Sequence, residues 1–442
     1  MKRINTVIVG AAGRDFHNFN TLYRDNEQAN VVAFTAAQIP DIAGRKYPAS
    51  LAGKLYPKGI PIYEEKNLES IIREHDVEDV VFSYSDVSYN HVMHIGARVT
   101  AAGAHFRILS ATKTMLKSRK PVISVCAVRT GSGKSQTSRK TAKLLQQMGF
   151  RVAAIRHPMP YGDLEKQKVQ RFASLEDLKR HHCTIEEMEE YEPHIVNGII
   201  IYAGVDYAAI LEQAEKDADI IIWDGGNNDL PFYRPDLHIV VADPLRVGNE
   251  LAYYPGEANL RLADVVIINK IDSATPDQIN RLRSNIRSVN ARARIIDAAS
   301  PLKLEHADQI AGKTVLVIED GPTLTHGEMS IGAGTVAAQK YGAAQLIDPR
   351  PYVTGEIKRT FETYPKIGVL LPAMGYSPKQ IKDLEATINR VPADAVIIGT
   401  PIDLKRIVKI RKPAYRVTYE LEEIGEPNLT TVLSEFAKNH KK

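Results

Sequence analysis

The sequence predicts an α/β protein in which mostly parallel sheets are covered by helices on both faces. The chain has 442 residues, and at about 150 residues per domain this length corresponds to about three domains. Near-continuous apolar runs alternate with amphipathic helical segments, which is the pattern of buried parallel strands joined by helices. Hydrophobic residues make up 44% of the chain, which is enough for a sizeable core.

The predicted strands are short apolar runs rich in β-branched residues. They are Thr6–Val9, Val31–Thr35, Asp79–Ser83, His105–Leu109, Pro121–Ala127, Arg151–Ile155, Gly198–Tyr202, Asp219–Trp223, Leu237–Ala242, Asp264–Ile268, Ala293–Ile296, Thr314–Ile318, Lys366–Leu371 and Asp394–Ile398. Two polar stretches, Thr112–Lys120 and Pro301–Lys313, are the expected boundaries. They divide the chain into an N-terminal domain (1–118), a central domain (119–312) and a smaller C-terminal α/β domain (313–442).

Charge and cysteine content exclude several classes of protein. Lys and Arg number 57 against 53 Asp and Glu, a formal net charge of +4 that is too balanced for a protein that coats nucleic acid. Two cysteines exclude a disulfide scaffold and indicate a reducing compartment. No stretch approaches the roughly 20 apolar residues of a membrane span. We therefore expect a cytoplasmic protein that binds neither nucleic acid nor membranes.

The N-terminal domain begins with a strand, a glycine turn and a helix. Gly10 and Gly13 lie in the turn, and Gly13, Arg14 and His17 are candidate ligands for an anionic substrate at the helix N-terminus. The pattern predicts a Rossmann-like domain, but one of its three glycines is missing. The next strand ends in Thr35, where a dinucleotide-binding domain has an acid for the ribose. The turn is thus either a phosphate or small-molecule site, or a glycine turn needed for packing, and an NAD site is disfavoured.

The central domain has a glycine-rich segment, VRTGSGKS (128–135), between a buried strand and a helix. Gly131 and Gly133 allow the backbone N–H groups to face a phosphate, Lys134 would reach the β- and γ-phosphates, and Ser135 would bind Mg²⁺. This predicts a P-loop NTPase domain with a catalytic lysine.

Other residues of this loop are candidate nucleotide ligands, although its first usual glycine is replaced by Val128. Ser132 and Gln136 complete the expected binding set. Arg129 lies second in the loop, where MinD-like P-loop proteins carry a signature lysine, and we expect it to neutralise charge during catalysis.

Two later strand ends complete the predicted nucleotide site. The strand Asp219–Trp223 runs into Asp224, a second expected Mg²⁺ ligand of Walker-B type, or otherwise a turn aspartate. The strand Asp264–Ile268 runs into NKID (269–272). Its Asp272 would accept hydrogen bonds from guanine, Lys270 would cover the base, and Asn269 would tie this segment to the phosphate loop. Because adenine lacks the N1–H and the 2-amino group of guanine, this segment predicts GTP in preference to ATP.

Further polar residues follow strands of the same domain. Ser300 lies where GTPases have their last guanine-contacting loop. Arg156, His157 and Asp163 lie in a segment placed like a switch, with Asp163 a second Mg²⁺ ligand or a catalytic base, or a plain turn residue. Arg246 is a phosphate-facing or a surface arginine.

The C-terminal domain contributes a polar loop, EDGPTLTHG (319–327), after a predicted strand. Thr323, Thr325 and His326 are candidate substrate ligands, with His326 a catalytic acid or base. The alternative is a turn followed by a capped helix.

A histidine–cysteine set, His181, His182, Cys183 and His194, has the residue types of a metal site. Adjacent helical residues point in different directions, so the set fits one helix face poorly. A solvated helix over Leu175–Tyr191 is the favoured interpretation.

Several of these segments together resemble one family, the predicted GTPases related to cyclic 2,3-diphosphoglycerate synthetase. They are Gly10–Asn20, Cys126–Gln136, Arg156–Asp163, Tyr253–Asn259, Asn269–Asp272 and Glu319–Gly327. In the synthetase, ATP phosphorylates a carboxylate and the acyl phosphate then closes into a cyclic bisphosphate. The resemblance implies a P-loop, Mg²⁺ and a second, polyanion-binding site.

Two functions follow as expectations. The first is a Mg²⁺-dependent nucleotide-hydrolysing or phosphoryl-transfer enzyme, with GTP preferred and ATP possible, that acts on a small anionic, phosphorylated carboxylate. The alternative is a regulatory or metallochaperone-type GTPase that switches a partner interaction. A homo-oligomer is compatible with either.

Overall fold

The computed structural model describes residues 2–37, 42–156, 162–321, 324, 330–375 and 377–440. It confirms the predicted α/β fold class, because its three main sheets are built mostly of parallel strands connected through helices. Among the described residues, no helix combines the length and apolar character needed to cross a membrane.

The N-terminal sheet has six strands in the order β3-β4-β2-β1-β5-β7, which are parallel except for the β3–β4 pair. The strands of this part are β1 (Ile4–Val9), β2 (Ala29–Ala36), β3 (Lys46–Tyr47), β4 (Ile60–Glu64), β5 (Asp79–Phe82), β6 (Val87–Ser88) and β7 (His105–Ile108). The helices are α1 (Arg14–Leu22), α2 (Ala49–Ala52), α3 (Leu68–Glu74), α4 (Tyr89–Ala101) and α5 (Ala111–Thr114). Val7, Ile8 and Val9 of β1 are fully buried, as the apolar pattern predicts for a central strand.

The strands of the central part are β8 (Val122–Ala127), β9 (Val152–Arg156), β10 (Gln170–Phe172), β11 (Ile200–Ala203), β12 (Ile220–Asp224), β13 (Leu237–Ala242), β14 (Tyr253–Tyr254), β15 (Val265–Ile268) and β16 (Arg294–Ala299). Its helices are α6 (Lys134–Gln147), α7 (Leu175–Arg180), α8 (Ile185–Ile195), α9 (Tyr207–Asp217), α10 (Asn249–Ala252), α11 (Gly256–Leu262) and α12 (Pro276–Val289). The short strand β14 pairs antiparallel with β6 and so joins the central part to the N-terminal part.

The remaining strands are β17 (Leu302–Leu304), β18 (Thr314–Asp320), β19 (Gln345–Leu346), β20 (Leu371–Ala373), β21 (Ala395–Ile398), β22 (Ala414–Tyr419) and β23 (Glu422–Ile424). The remaining helices are α13 (Ala333–Lys340), α14 (Glu356–Thr363), α15 (Pro378–Arg390) and α16 (Leu429–His440). The third sheet has the order β17-β22-β21-β18-β19, with β20 also paired to β18. The sequence predicts a strand over Lys366–Leu371, but the strand begins only at Leu371, because Gly368 has a φ of +70° and interrupts the extended backbone.

The nine-stranded central sheet has the order β10-β11-β9-β12-β8-β13-β15-β16-β23 and is antiparallel only at its two edges. The edge strand β23 comes from the C-terminal end of the chain. The helix α16 that follows packs against α6 in the core of the same sheet. Residues 422–440, which the sequence assigns to the C-terminal domain, therefore add a strand and a helix to the central sheet.

Candidate nucleotide site

The glycine-rich segment forms a tight loop between β8 and α6. Gly131 and Gly133 have φ values of +83° and +108°, which favour glycine. A Cβ added at Gly133 would lie 2.0 Å from Nδ2 of Asn269, so close packing also requires glycine there. The helix α6 begins at Lys134, directly after this turn.

Lys134 points across the loop to the neighbouring strand. Because β12 pairs parallel with β8, the carboxyl ends of the two strands meet, and Asp224 is the last residue of β12. The Nζ atom of Lys134 donates to Oδ1 of Asp224 over 2.6 Å, and both side chains are buried. The predicted phosphate-binding lysine and Walker-B aspartate are thus brought together.

Two more groups converge on the Asp224 carboxylate. Arg156, the last residue of β9, places Nη1 3.4 Å from Oδ1, and Nε2 of His194 lies 2.9 Å from Oδ2. Burial alone raises the pKa of Asp224, but Lys134 and Arg156 outweigh it and hold the pKa well below its usual range. The carboxylate is therefore ionised at neutral pH.

The residues present fit a Mg²⁺ ion that arrives with a nucleotide. Ser135 in the first turn of α6 supplies a hydroxyl and Asp224 an ionised carboxylate, the oxygen donors that Mg²⁺ prefers. Within the described residues, no group of three or more His, Cys, Asp or Glu side chains is arranged to hold a metal ion. A magnesium ion here would draw its other ligands from the nucleotide and water.

Asp163 is exposed in a turn, where its Oδ1 accepts the Glu165 N–H at 3.0 Å. The same turn contacts the N-terminal sheet region, since Arg45 donates to the Gly162 carbonyl and Ser50 to Glu165. The role of Asp163 as Mg²⁺ ligand or base stays a prediction. His157, Thr323, Thr325 and His326 lie outside the described residues.

The NKID segment is tied to the phosphate loop. Asn269 donates through Nδ2 to the Ser132 carbonyl over 2.9 Å, and Nζ of Lys270 donates to the Gly131 carbonyl over 2.7 Å. The tie expected of Asn269 is present.

Asp272 and Ser300 form the next part of this surface. Oδ1 of the exposed Asp272 accepts the backbone N–H of Ser300 at 3.1 Å. The Ser300 hydroxyl in turn donates to Oε1 of Gln136 over 3.1 Å. The structure thus brings together four of the predicted nucleotide ligands, namely Asp272, Ser300, Gln136 and, through the phosphate loop, Asn269.

Arg246 forms a hydrogen bond with the backbone of the phosphate loop. Its Nη2 donates to the Thr130 carbonyl over 2.7 Å and lies 3.2 Å from Oδ2 of Asp243. Asp243 also pairs with Lys270 at 3.0 Å. One carboxylate therefore holds two cations against the backbone of the loop.

Arg129 is committed to the N-terminal part of the chain. Its Nε lies 2.7 Å from Oδ1 of Asp86, and Nη1 donates to Oδ1 of Asn249 over 2.8 Å. The guanidinium carbon lies 3.5 Å from the centre of the Tyr253 ring, a cation–π contact. Its expected charge-neutralising role stays a prediction.

The glycine turn of the N-terminal domain is filled by a carboxyl group of the protein itself. Oδ1 of Asp15 accepts the backbone N–H groups of Ala12 and Phe16, the latter at 2.9 Å. These donors at the start of α1, next to Gly13, are the kind that the sequence assigns to a phosphate.

Arg14 and His17 join the N-terminal part to the central part. Arg14 forms a buried ion pair with Asp229 at 2.8 Å, and its guanidinium covers the Phe232 ring at 4.3 Å. His17 also stacks on Phe232, with the two ring centres 4.3 Å apart, and its Nε2 lies 2.7 Å from the Thr114 carbonyl oxygen. Both side chains have an interface role, and substrate binding by them stays a prediction.

Asp15 gives the protein a measurable pH dependence. Burial raises its pKa to about 7, although the N–H donors of Ala12 and Phe16 oppose the rise. A folded-state pKa above the unfolded value means that the folded protein binds more protons between pH 4 and 7, so stability falls as the pH rises through this window. Asparagine does not titrate, so we expect the free energy of unfolding of Asp15→Asn to decrease by about 2–4 kcal/mol less than that of the wild type over this pH range, at 1.36 kcal/mol per pKa unit. Urea denaturation of both proteins at pH 4.5 and 7.5 measures this difference. An equal change in the free energy of unfolding in the two proteins would contradict the prediction.

The helix α8 was missed as part of the site. The sequence favours a solvated helix over Leu175–Tyr191, and this is wrong, because α7 ends at Arg180 and α8 is largely buried. Met188, Tyr191 and Ile195 lie three and four residues apart and pack in or against one core cluster, and this helical apolar spacing is a signal that predicts burial. That burial carries His194 to Asp224.

Glu319, the second-last residue of β18, is also a buried acid to which the sequence assigned no individual role. It accepts the backbone N–H groups of Gly334 and Thr335 at the start of α13, at 3.2 and 2.8 Å. Burial raises the pKa of its carboxyl to about 7. This carboxyl caps a helix N-terminus.

Comparisons with known proteins agree with this geometry. The family described as cyclic 2,3-diphosphoglycerate synthetase, P-loop domain, matches residues 196–299, which include Asp224 and the NKID segment. Arginine synthetase ArcE of Thermococcus kodakarensis is 63% identical over 441 residues, covering 100% of this chain and 98% of that protein. The chain belongs to the ArcE family.

The synthetase named in the family match is a more distant relative of this ArcE-family chain. Cyclic 2,3-diphosphoglycerate synthetase of T. kodakarensis is 24% identical over 262 residues, which span 53% of this chain and 60% of that protein. Among solved structures, LpxK of Aquifex aeolicus in complex with ATP shares 13% identity with a TM-score of 0.45, covering 83% of this chain and 99% of LpxK. That likeness is too distant to bear on activity. The chain is a P-loop protein related to nucleotide-using synthetases.

Proposed function

We propose that this protein is a Mg²⁺- and nucleotide-dependent synthetase that forms arginine. The observation that carries the proposal is the phosphate loop with Lys134 held 2.6 Å from the buried Asp224. The whole-length similarity to arginine synthetase ArcE supports arginine as the product.

The chemistry of the product explains the need for a nucleotide. A guanidinium carbon carries three nitrogens, whereas a ureido carbon carries two nitrogens and one oxygen. Transfer of the γ-phosphoryl group to that oxygen, with release of the nucleoside diphosphate, turns the oxygen into a phosphate leaving group. Ammonia then adds to the carbon, phosphate departs with the oxygen, and the excess proton passes to phosphate or solvent.

The described residues support the phosphoryl-transfer step electrostatically. Lys134 and Arg156 both lie at Asp224 and carry the positive charge that a transferring phosphoryl group requires. Mg²⁺ on Ser135 and Asp224 would neutralise phosphate charge. Burial lowers the pKa of Lys134, and Arg156 lowers it further, while Asp224 favours the charged form.

We propose GTP as the preferred nucleotide. Asp272 keeps a carboxylate oxygen beyond the one that accepts the Ser300 N–H, and Lys270 and Asn269 are anchored on the phosphate loop. This arrangement supports guanine binding.

We expect Asp272→Asn to weaken GTP binding by about 1–3 kcal/mol and to leave ATP binding nearly unchanged, because only guanine donates to this carboxylate from N1 and the 2-amino group. Competition of each nucleotide against a fluorescent analogue measures both affinities. Asp308→Asn, at an exposed position, is the control. An unchanged ratio of GTP affinity to ATP affinity in Asp272→Asn would contradict the proposal that the protein prefers guanine.

The activity is tested by incubating the full chain with Mg²⁺, GTP or ATP, citrulline (the ureido counterpart of arginine) and ammonium chloride, and measuring arginine. A parallel reaction with phosphorylated carboxylic acids tests the acceptor that the sequence predicts. Hydrolysis that is slow and independent of any acceptor would instead favour the regulatory GTPase. Arginine formed only with nucleotide would support the proposal, and its absence would refute it. A cytoplasmic location and a homo-oligomer stay predictions.

A further inference from the structure

The helix α8 supplies two polar side chains to the carboxyl ends of the central strands. Glu190 pairs with Arg156, the last residue of β9. His194, one turn later on α8, contacts Asp224, the last residue of β12. Residues four apart lie on the same face of a helix, so one face of α8 covers this end of the sheet. The nucleotide site therefore includes two side chains that lie outside the phosphate loop and the NKID segment.

The two oxygens of the Asp224 carboxylate have different partners. Oδ1 accepts a hydrogen bond from Nζ of Lys134 at 2.6 Å and lies 3.4 Å from Nη1 of Arg156. Oδ2 lies 2.9 Å from Nε2 of His194. An ionised carboxylate only accepts hydrogen bonds, so Nε2 is the ring nitrogen that carries a hydrogen and donates it. Both side chains are buried, with His194 1% and Asp224 0% exposed, so bulk water does not compete for this bond.

The imidazole ring of His194 is directed at Asp224 and at no other polar group in the described part of the chain. Its second nitrogen, Nδ1, is buried and has no hydrogen-bond partner there. Buried polar atoms are usually hydrogen-bonded, so a ring that uses only one of its nitrogens is not placed to join a wider network. The contact with Oδ2 is therefore the polar interaction that this histidine provides.

Contacts with the third sheet fix the helix that carries His194. Oε1 of Glu189 accepts the Thr400 hydroxyl, and Glu192 pairs with Arg406. Thr400 and Arg406 both follow β21, the strand that ends at residue 398. A side chain can orient another only if it is itself held in place. These contacts and the burial of α8 hold the backbone from which His194 projects.

We propose that His194 is a positioning residue, which holds the Asp224 carboxylate in the orientation that receives Mg²⁺ with the nucleotide. This inference rests on the Mg²⁺ and nucleotide part of the proposed function. The χ2 torsion of an aspartate is soft, so a carboxylate that is not held rotates easily. When the phosphates of a nucleotide attract Lys134, Oδ1 is released for the ion or for one of its water ligands, while His194 keeps Oδ2 in place. Hydrogen bonds of this kind increase metal affinity without contact with the metal.

The experiment measures the affinity of fluorescent GTP and ATP analogues in EDTA and at increasing Mg²⁺, for the full-length wild type, His194→Gln and His194→Leu. The glutamine amide reaches the position of Nε2 and donates there, whereas leucine fills the space without a donor. We expect His194→Leu to raise the Mg²⁺ concentration for half-maximal affinity about 10- to 100-fold, and His194→Gln to stay near the wild-type value. Affinity in EDTA should be alike in all three proteins, because Asp224 acts on the nucleotide through the ion.

His194→Asn gives a second reading, which keeps the test valid if the leucine variant folds poorly. Its shorter amide reaches only the position of Nδ1, so its Mg²⁺ dependence should resemble that of His194→Leu. Ile195→Ala is the matched control, because the side chain of this neighbouring residue packs in the core of the central sheet. The control should lower the urea midpoint of unfolding and leave the Mg²⁺ dependence as in the wild type.

Three results would overturn the positioning role of His194. They are an unchanged Mg²⁺ dependence in the leucine and asparagine variants, an equal loss in His194→Gln, and a loss of affinity that is as large in EDTA as in Mg²⁺. The last result would make His194 a purely structural partner of Asp224. A wild-type protein whose nucleotide affinity does not respond to Mg²⁺ would instead overturn the Mg²⁺-dependent function itself. The wild-type titration therefore distinguishes failure of the function from failure of the positioning role.

Discussion

Replacing Lys134 with methionine is expected to lower nucleotide-dependent turnover by about 10³-fold or more while leaving the fold intact. The lysine supplies fixed positive charge to the transferring phosphoryl group, and such a group is worth roughly that factor. The fold should tolerate the change because Asp224 keeps two other partners, Arg156 at 3.4 Å and His194 at 2.9 Å. Methionine fills most of the volume of the lysine stem, so no large cavity forms.

Turnover and nucleotide affinity of Lys134→Met are measured beside Lys143→Met, an exposed position on the same helix. The control should behave as the wild type in both measurements. A Lys134 variant that binds and turns over nucleotide normally would show that the loop 128–135 is not the phosphate site.

The fold class and the nucleotide loops were predictable because their signals are local. The glycines at 131 and 133 specify a turn that only glycine adopts without strain, and the run of apolar residues before Asp224 specifies a buried strand. Lys134 follows the loop after β8, and Asp224 and Asn269 lie at the ends of two other strands of the same parallel sheet, so their convergence at one edge follows from the topology.

The contacts between distant parts of the chain were not predictable in this way. Arg129 pairs with Asp86, and Asp15 occupies the N–H donors that an external anion would use. Both contacts depend on which polar side chains are brought together when the sheets pack. The sequence around Asp86 carries no motif, and a carboxylate two residues past Gly13 is compatible with either a free or a self-filled turn.

The helix α8 is buried although its many charged residues are typical of an exposed helix. Its glutamates suggest a solvated helix, yet Glu186, Glu187 and Glu189 are each less than 5% exposed. Buried acids of this kind are rare without partners, and here the partners lie on the third sheet and in the helix cap. A sequence pattern does not identify partners that are distant along the chain. The contact between α8 and the third sheet is therefore seen only in the structure.

Asp224→Asn is expected to cost about 3–5 kcal/mol of stability in the absence of nucleotide, in contrast to Lys134→Met. Removing the Asp224 carboxylate leaves the buried Lys134 without its ion-pair partner and leaves Arg156 paired with Glu190 alone, and an uncompensated buried charge carries a penalty of that size. Urea denaturation measures the loss, with the exposed Asp308→Asn as control.

The pH dependence of that loss tests its electrostatic origin. The pKa of Asp224 is depressed in the folded protein because Lys134 and Arg156 outweigh the opposing effect of burial. The stability it contributes is therefore present above the unfolded pKa of about 4 and is lost as the pH falls towards the folded value. The difference in free energy of unfolding between wild type and Asp224→Asn should therefore become smaller below pH 4. In the double variant Asp224→Asn/Lys134→Met, part of the lost stability should be recovered, because one of the uncompensated cations has been removed. A gap that is independent of pH and additive with Lys134→Met would mean that Asp224 stabilises the fold by packing rather than by charge.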